Sequence, residues 1–195
     1  DVIQKSLEAL DNKEYGIVVP KIINEGKNTI WWIETQVRSL AYILGALDYS
    51  ITNHTKKDEE YASDFADEFE SQPVRAVDAL TGCAMFTRKD VLDKVGLFDE
   101  QYFMYAEDVD LSLRVKAEGY KLGVVTQATL YHKGQQPLSE KTFSDHLNAS
   151  KKYKIYLTSV FRFLKTHYGY PVALIWLIKL PFSLAFQFIW SKVIK

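Results

Sequence analysis

The residues best suited to chemistry lie between Val77 and His132, where Glu107, Asp108 and Asp110 place three carboxylates in four positions. Like charges held that close raise one another's pKa, which turns a weak carboxylate base into a more useful one. Tyr102, Phe103 and Tyr105 stand just before them and would form an aromatic wall that restricts water. Acids together with a histidine such as His132 can also bind a divalent cation, since hard oxygen ligands and imidazole suit Mg²⁺ or Mn²⁺. The competing reading is plainer: three acids at the front of a helix cap it and favour its dipole.

Two periods compete in the element that carries these acids. Val109, Leu111, Leu113 and Val115 alternate as a strand would. Acids crowd the front, however, Arg114 and Lys116 sit at the back, and Gly119 follows; all three are helix signals. Asp110 and Arg114 stand four apart, a helical pair worth about 0.2–0.5 kcal/mol. The pattern predicts a helix. Upstream, Val77 to Phe86 reads as an apolar strand interrupted by Thr81-Gly82-Cys83, where Gly82 lets backbone approach closely or bulge. Thr87 is placed to N-cap a following helix, with Asp90 at the capping-box position and Gly96 at its end. Downstream, Tyr120 to Val125 and Ala128 to Tyr131 read as strand, ending at His132 and a turn at Gly134.

At the front of the chain, Val2, Ile3, Leu7 and Leu10 fall near helical spacing, and Gly16 to Pro20 reads as a short buried strand. A helix that opens at residue 1 leads us to expect a domain cut from something longer. Trp31 and Trp32 could stack a sugar or a base, or simply belong to the core. The acid-rich run from Lys56 to Glu70 reads as a solvated excursion.

Composition narrows the class. Of 195 residues, 47% are hydrophobic and 14% aromatic, and the net charge is −1, which excludes a disordered chain. The single cysteine, Cys83, excludes an internal disulfide framework and fits a reducing cytosol. The near-zero charge hides an asymmetry: residues 141–195 carry +8 and residues 1–140 carry −9. A basic tail points to an anionic partner. Its basic residues are interleaved with long aliphatic runs and no RNA or DNA motif is present, so a membrane surface is expected and nucleic acid is not.

In that tail, Lys154, Thr158, Arg162 and Lys165 line one face of a helix whose other face carries Ile155, Leu157, Val160, Phe161 and Leu164. Such a helix suits an anionic lipid surface. Tyr170 to Trp190 is more apolar, with eleven Leu, Ile, Val or Phe residues, near the ~20 residues needed to span a bilayer. Lys179 costs about 2.5–3.5 kcal/mol at mid-span, and Pro181 kinks the helix beside it. Lys179, Ser183, Gln187 and Ser191 draw a polar stripe down one side. A peripheral, monotopic attachment is favoured over a single span.

The order and spacing of Thr81-Gly82-Cys83-Ala84-Met85-Phe86-Thr87-Arg88, Val95-Gly96-Leu97-Phe98-Asp99-Glu100, Phe103-Met104-Tyr105-Ala106-Glu107-Asp108-Val109-Asp110-Leu111-Ser112-Leu113-Arg114, Gly119-Tyr120 and Tyr131-His132 resemble the second half of a family 2 glycosyltransferase. The similarity is to the bacterial rhamnosyltransferase-like branch, which builds surface polysaccharides, and it covers roughly Val2 to Gly134. It implies an α/β fold: a partial GT-A sandwich over residues 1–140, followed by a tail of amphipathic and hydrophobic helices over residues 141–195. It also implies an inverting transfer from a nucleotide-sugar donor to a lipid-linked or polysaccharide acceptor, at the cytoplasmic face of the cell membrane. In that comparison Asp108 is the catalytic base, His132 helps hold a divalent metal (Mg or Mn) on the diphosphate, and Gly82 and Glu107 are substrate-binding candidates.

The sequence departs from the family in one respect. The family's Asp-x-Asp motif, which supplies the main metal ligands, belongs to an N-terminal half that is missing here. The literal Asp108-Val109-Asp110 falls in the base motif instead. The chain alone is therefore expected to be an incomplete, inactive enzyme. The alternative is a non-catalytic, membrane-attached binding or assembly module that retains part of the fold.

Overall fold

The computed structural model describes residues 1–24, 72–132 and 143–193. Trp31, Trp32, the 56–70 run and Gly134 lie outside the described residues. Those described fall into two compact units, one of residues 1–24, 72–102 and 107–132, the other of residues 103–106 and 143–193.

The first unit is a mixed α/β domain. Its described elements are α1 (Val2–Ala9), β1 (Tyr15–Asn24), β2 (Val74–Val77), a 3₁₀ turn (Gly82–Ala84), β3 (Phe86–Thr87), α2 (Lys89–Val95), α3 (Glu107–Ala117) and β4 (Lys121–His132). The strands form one sheet in the order β2-β4-β1-β3. β1 and β4 run parallel at its centre, and β2 and β3 flank them antiparallel.

The unbroken apolar run of β1 explains its central place, because a strand covered on both faces has no solvent side to mark with polar residues. Ile17 and Val19 join Leu80, Leu122 and Val124 on one face, under Val91 of α2 and Leu111 and Val115 of α3. Val18 faces the other way, with Val125, Ala128 and Leu10 at the end of α1. Gly16 is required where β1 passes α3, since a Cβ there would lie 2.6 Å from the Val115 side chain.

The two strand segments expected on either side of Thr126 are one strand with an irregularity. Pro20 pairs with Val125, but the next residue, Lys21, pairs with Thr129. Proline has no N–H for the ladder and is tolerated in a central strand only at such a break. Thr126 is accommodated by the chain entering β2, its N–H donating to Pro73 O at 3.1 Å and its hydroxyl to Gln72 O at 2.7 Å.

Two local expectations are corrected. Val77 to Phe86 is not one strand; β2 ends at Val77 and a 3₁₀ turn intervenes before β3. Thr87 does not cap α2. It lies in β3, where its hydroxyl donates to Gly16 O at 2.7 Å, and Arg88 holds the cap position without a side-chain capping bond. Gly96 does end α2, with φ of 84°.

The second unit contains α4 (Phe143–Tyr168) and α5 (Tyr170–Val193), which pack together and are joined at Gly169. Lys154, Thr158 and Lys165 are exposed as expected. The face of α4 expected to meet lipid is instead partly interior: Val160 and Leu164 are 1% and 0% exposed, and Phe163 is buried beside them. Ala173, Trp176 and Leu180 are the buried side of α5, leaving Leu174, Ile175, Leu177 and Ile178 exposed. Among the described residues no helix is long and apolar enough to cross a membrane.

Candidate active site

Asp108 lies in the first turn of α3, where the helix predicted from charge order forms despite the alternating apolar residues. Its position in the sheet follows from register. β3 pairs antiparallel with β1, so the Gly82–Ala84 turn before it lies on the side toward which β1 and β4 run. The opposite end of α3 packs by Gly16, at the start of β1. The N-terminus of α3 therefore sits at the carboxyl end of the parallel pair, the edge where open α/β sheets bind ligands.

The Gly82 N–H donates to Asp108 Oδ2 at 2.9 Å, and the Val109 N–H donates to Oδ1 at 2.8 Å. Each carboxylate oxygen keeps a further lone pair. Burial pushes the Asp108 carboxyl above its ordinary pKa, and the N–H groups of Gly82 and Val109 pull it partway back. A Cβ at Gly82 would meet Asp108 Cβ at 3.5 Å, an ordinary contact, so the turn approaches Asp108 closely without requiring glycine.

Glu107 is also raised, first by burial and to a smaller extent by the charge of Asp108, while its own N–H lowers it. Desolvation thus leads at both carboxyls, ahead of the mutual repulsion expected from their spacing. Glu107 Oε2 is buried and has no hydrogen-bond partner among the described residues. Asp110, the third acid, is drawn away: it is 2% exposed and paired with Arg114.

His132 is the last residue of β4, half-buried, and in register with Asn24 of β1. It therefore shares the sheet end that Gly82 and Asp108 occupy. Among the described residues no group of three or more His, Cys, Asp or Glu side chains is placed to hold a metal ion, so these residues by themselves do not make a divalent-cation centre.

The aromatic wall does not form as a unit. Tyr102 is buried, whereas Phe103 is 80% exposed. Tyr105 packs edge-on to Tyr156 at 5.5 Å within the helical unit, where the Ser159 hydroxyl donates to Met104 O at 2.7 Å. Tyr105 and Ala106 carry φ of 70° and 67°, a conformation that side chains other than glycine's rarely adopt. Such strain is typical of functional sites. Nothing in the sequence signals it, because neither residue is Gly, Asn or Asp. Ser112 was equally unmarked, yet its buried hydroxyl accepts the Leu80 N–H at 3.1 Å.

A desolvated, N–H-bonded carboxylate at the carboxyl edge of the parallel strands of a mixed α/β domain has the chemistry of an acid–base group. Residues 48–194 match the family described as "Glycosyl transferase family group 2", and the chain belongs to that family. It is 41% identical over 70 residues to N-acetylglucosaminyl-diphospho-decaprenol L-rhamnosyltransferase of Mycobacterium tuberculosis (strain ATCC 25618 / H37Rv), covering 33% of this chain and 23% of that protein. It is 34% identical over 91 residues to Rhamnosyltransferase WbbL of Escherichia coli (strain K12), covering 45% of this chain and 31% of that protein. The chain spans less than a third of these relatives. The resemblance read from Thr81 to His132 is therefore to the right family.

Proposed function

We propose that this chain carries the base-bearing part of an inverting glycosyltransferase of GT-A type. The reaction moves a sugar from a nucleotide-sugar to a lipid-linked or polysaccharide acceptor in cell-surface polysaccharide synthesis. The observation that carries the reading is Asp108: a desolvated carboxylate, both oxygens fixed by backbone N–H groups, at the carboxyl end of β1 and β4. The rhamnosyltransferase relatives support the reaction class.

In this mechanism an acceptor hydroxyl gives its proton to a free lone pair of the Asp108 carboxylate. Its oxygen attacks the anomeric carbon from the face opposite the nucleoside diphosphate, which leaves with the bonding pair, and the configuration inverts. A raised pKa makes Asp108 a stronger base near neutral pH. Glu107 and Gly82 border the position of the reacting hydroxyl as substrate-binding groups.

A divalent cation, Mg²⁺ or Mn²⁺, would neutralise charge growing on the diphosphate. We assign His132 as one ligand, with the main ligands expected from the family's N-terminal Asp-x-Asp half. The basic α4 and the exposed apolar face of α5 support a peripheral attachment to anionic lipid at the cytoplasmic face of the membrane.

The deciding experiment is Asp108→Asn in the intact protein, assayed for transfer and for donor binding. Loss of transfer with donor binding retained is expected. Normal turnover would overturn the base assignment and favour a non-catalytic, membrane-attached module.

A further inference from the structure

Residues 108 and 112 of α3 lie one turn apart on the same helix face, a rise of about 6 Å. Leu80 and Gly82 lie two apart in the segment opposite, and in extended chain two residues advance about 6.6 Å. The spacings match. The Gly82 N–H meets Asp108 Oδ2 at 2.9 Å, and the Leu80 N–H meets Ser112 Oγ at 3.1 Å. Two backbone donors of one segment are thus fastened to two oxygens of one helix.

The inner fastening is shut away from water. Ser112 is 0% exposed and Leu80 is 1% exposed. A buried N–H must be paired, so Ser112 dictates where Leu80 sits. Thr81 then leaves little freedom for Gly82, two residues on. The outer fastening, at Gly82, is solvent-exposed and would fluctuate without the inner one.

We propose that Ser112 is a positioning residue for the transfer reaction, its buried hydroxyl setting the register of Leu80–Gly82 on α3 and so holding the Gly82 N–H on the Asp108 carboxylate. This rests on Asp108 acting as the base. It adds a second residue that acts through the first and touches no substrate.

The test is Ser112→Ala in the intact protein, read by the pH dependence of kcat and by ¹³C NMR titration of the Asp108 carboxyl. The titratable neighbours to be followed with it are Glu107 and Asp110 of the same helix, the latter paired with Arg114, and Cys83 of the facing turn. Weakening the Gly82 bond disfavours the ionised form. Both the acid limb and the Asp108 titration should move up by about one pH unit, which is about tenfold in rate below the limb. A purely structural serine would lower thermal stability and leave both where they are; that result overturns the proposal. If Ser112→Ala does not fold, Ser112→Cys fills the site with a slightly larger side chain and a weaker acceptor. It should shift both readouts in the same direction, and an unchanged titration again overturns the proposal. Asp108→Asn separates the two ideas: normal turnover there removes the base assignment, while the Asp108 titration in the Ser112 variants still decides the positioning role.

Discussion

Arg114 reaches back one turn of α3 to Asp110, Nε to Oδ2 at 2.9 Å, and the same guanidinium donates to Val95 O at 2.6 Å and Leu97 O at 2.8 Å. One side chain thereby joins α3 to the end of α2 around Gly96. Removing one member of a buried pair strands the other charge, at about 3–5 kcal/mol. Arg114→Ala should cost about that much in urea unfolding. Arg114→Lys should recover only part of it, because one ammonium nitrogen cannot span three oxygens that three guanidinium nitrogens reach separately.

Asp108→Asn should cut kcat by about 10²–10⁴, the usual contribution of a general base, and the wild-type protein should lose stability as pH rises above the ordinary aspartate range. The sign follows from the raised pKa. Between its unfolded and folded pKa values the folded chain binds more protons than the unfolded one, so stability falls as pH rises through that window. The asparagine removes that pH dependence but sets its NH2 against one of the two backbone N–H donors, so its stability should be flat over the window where the wild type falls. Thermal unfolding across pH 3–8, roughly the span that brackets carboxylate titration, checks it.

The left-handed backbone at Ala106 costs an L-residue about 1–2 kcal/mol, which glycine avoids while losing more entropy on folding. Ala106→Gly should therefore stabilise the protein by about 0.5–1 kcal/mol. Ala106→Val should destabilise it by more than that. Denaturant midpoints measure both.

Ile175 and Ile178 stand 55% and 66% exposed on α5, while Val160 of α4 is buried. Ile175→Asp with Ile178→Asp should leave the fold intact and weaken cosedimentation with phosphatidylserine-containing vesicles about tenfold or more, at ~0.8 kcal/mol per withdrawn CH₂. Val160→Asp should unfold the helical unit instead. Equal binding by wild type and the double variant would remove α5 as the lipid-contacting surface.

Much of the first unit was legible because its signals are local. The unbroken run at Gly16–Pro20 gave a covered strand, and the acids before the bases on α3 outweighed an alternation that mimicked a strand. What escaped depends on distant partners. Val77–Phe86 turns where it does because Leu80 and Gly82 are held by residues 32 and 26 positions away. Thr87 has the chemistry of a cap, but its hydroxyl is taken by Gly16, 71 positions away. The apolar face of α4 has the period of a lipid-binding helix, and periodicity alone does not say whether lipid or a neighbouring helix covers it. Asp108 as base came from the family resemblance, whereas its desolvation and its two N–H partners needed coordinates.

The pairing of Tyr15 with Lys121 carries a consequence for biosynthesis. The two middle strands are more than a hundred residues apart, so the first must wait on the ribosome, greasy and unmated, until the second has been translated and released from the exit tunnel. Topologies closed over such a span assemble slowly and expose sticky edges meanwhile. Expression should therefore depend on chaperone supply and growth temperature more than the modest size of the domain would suggest.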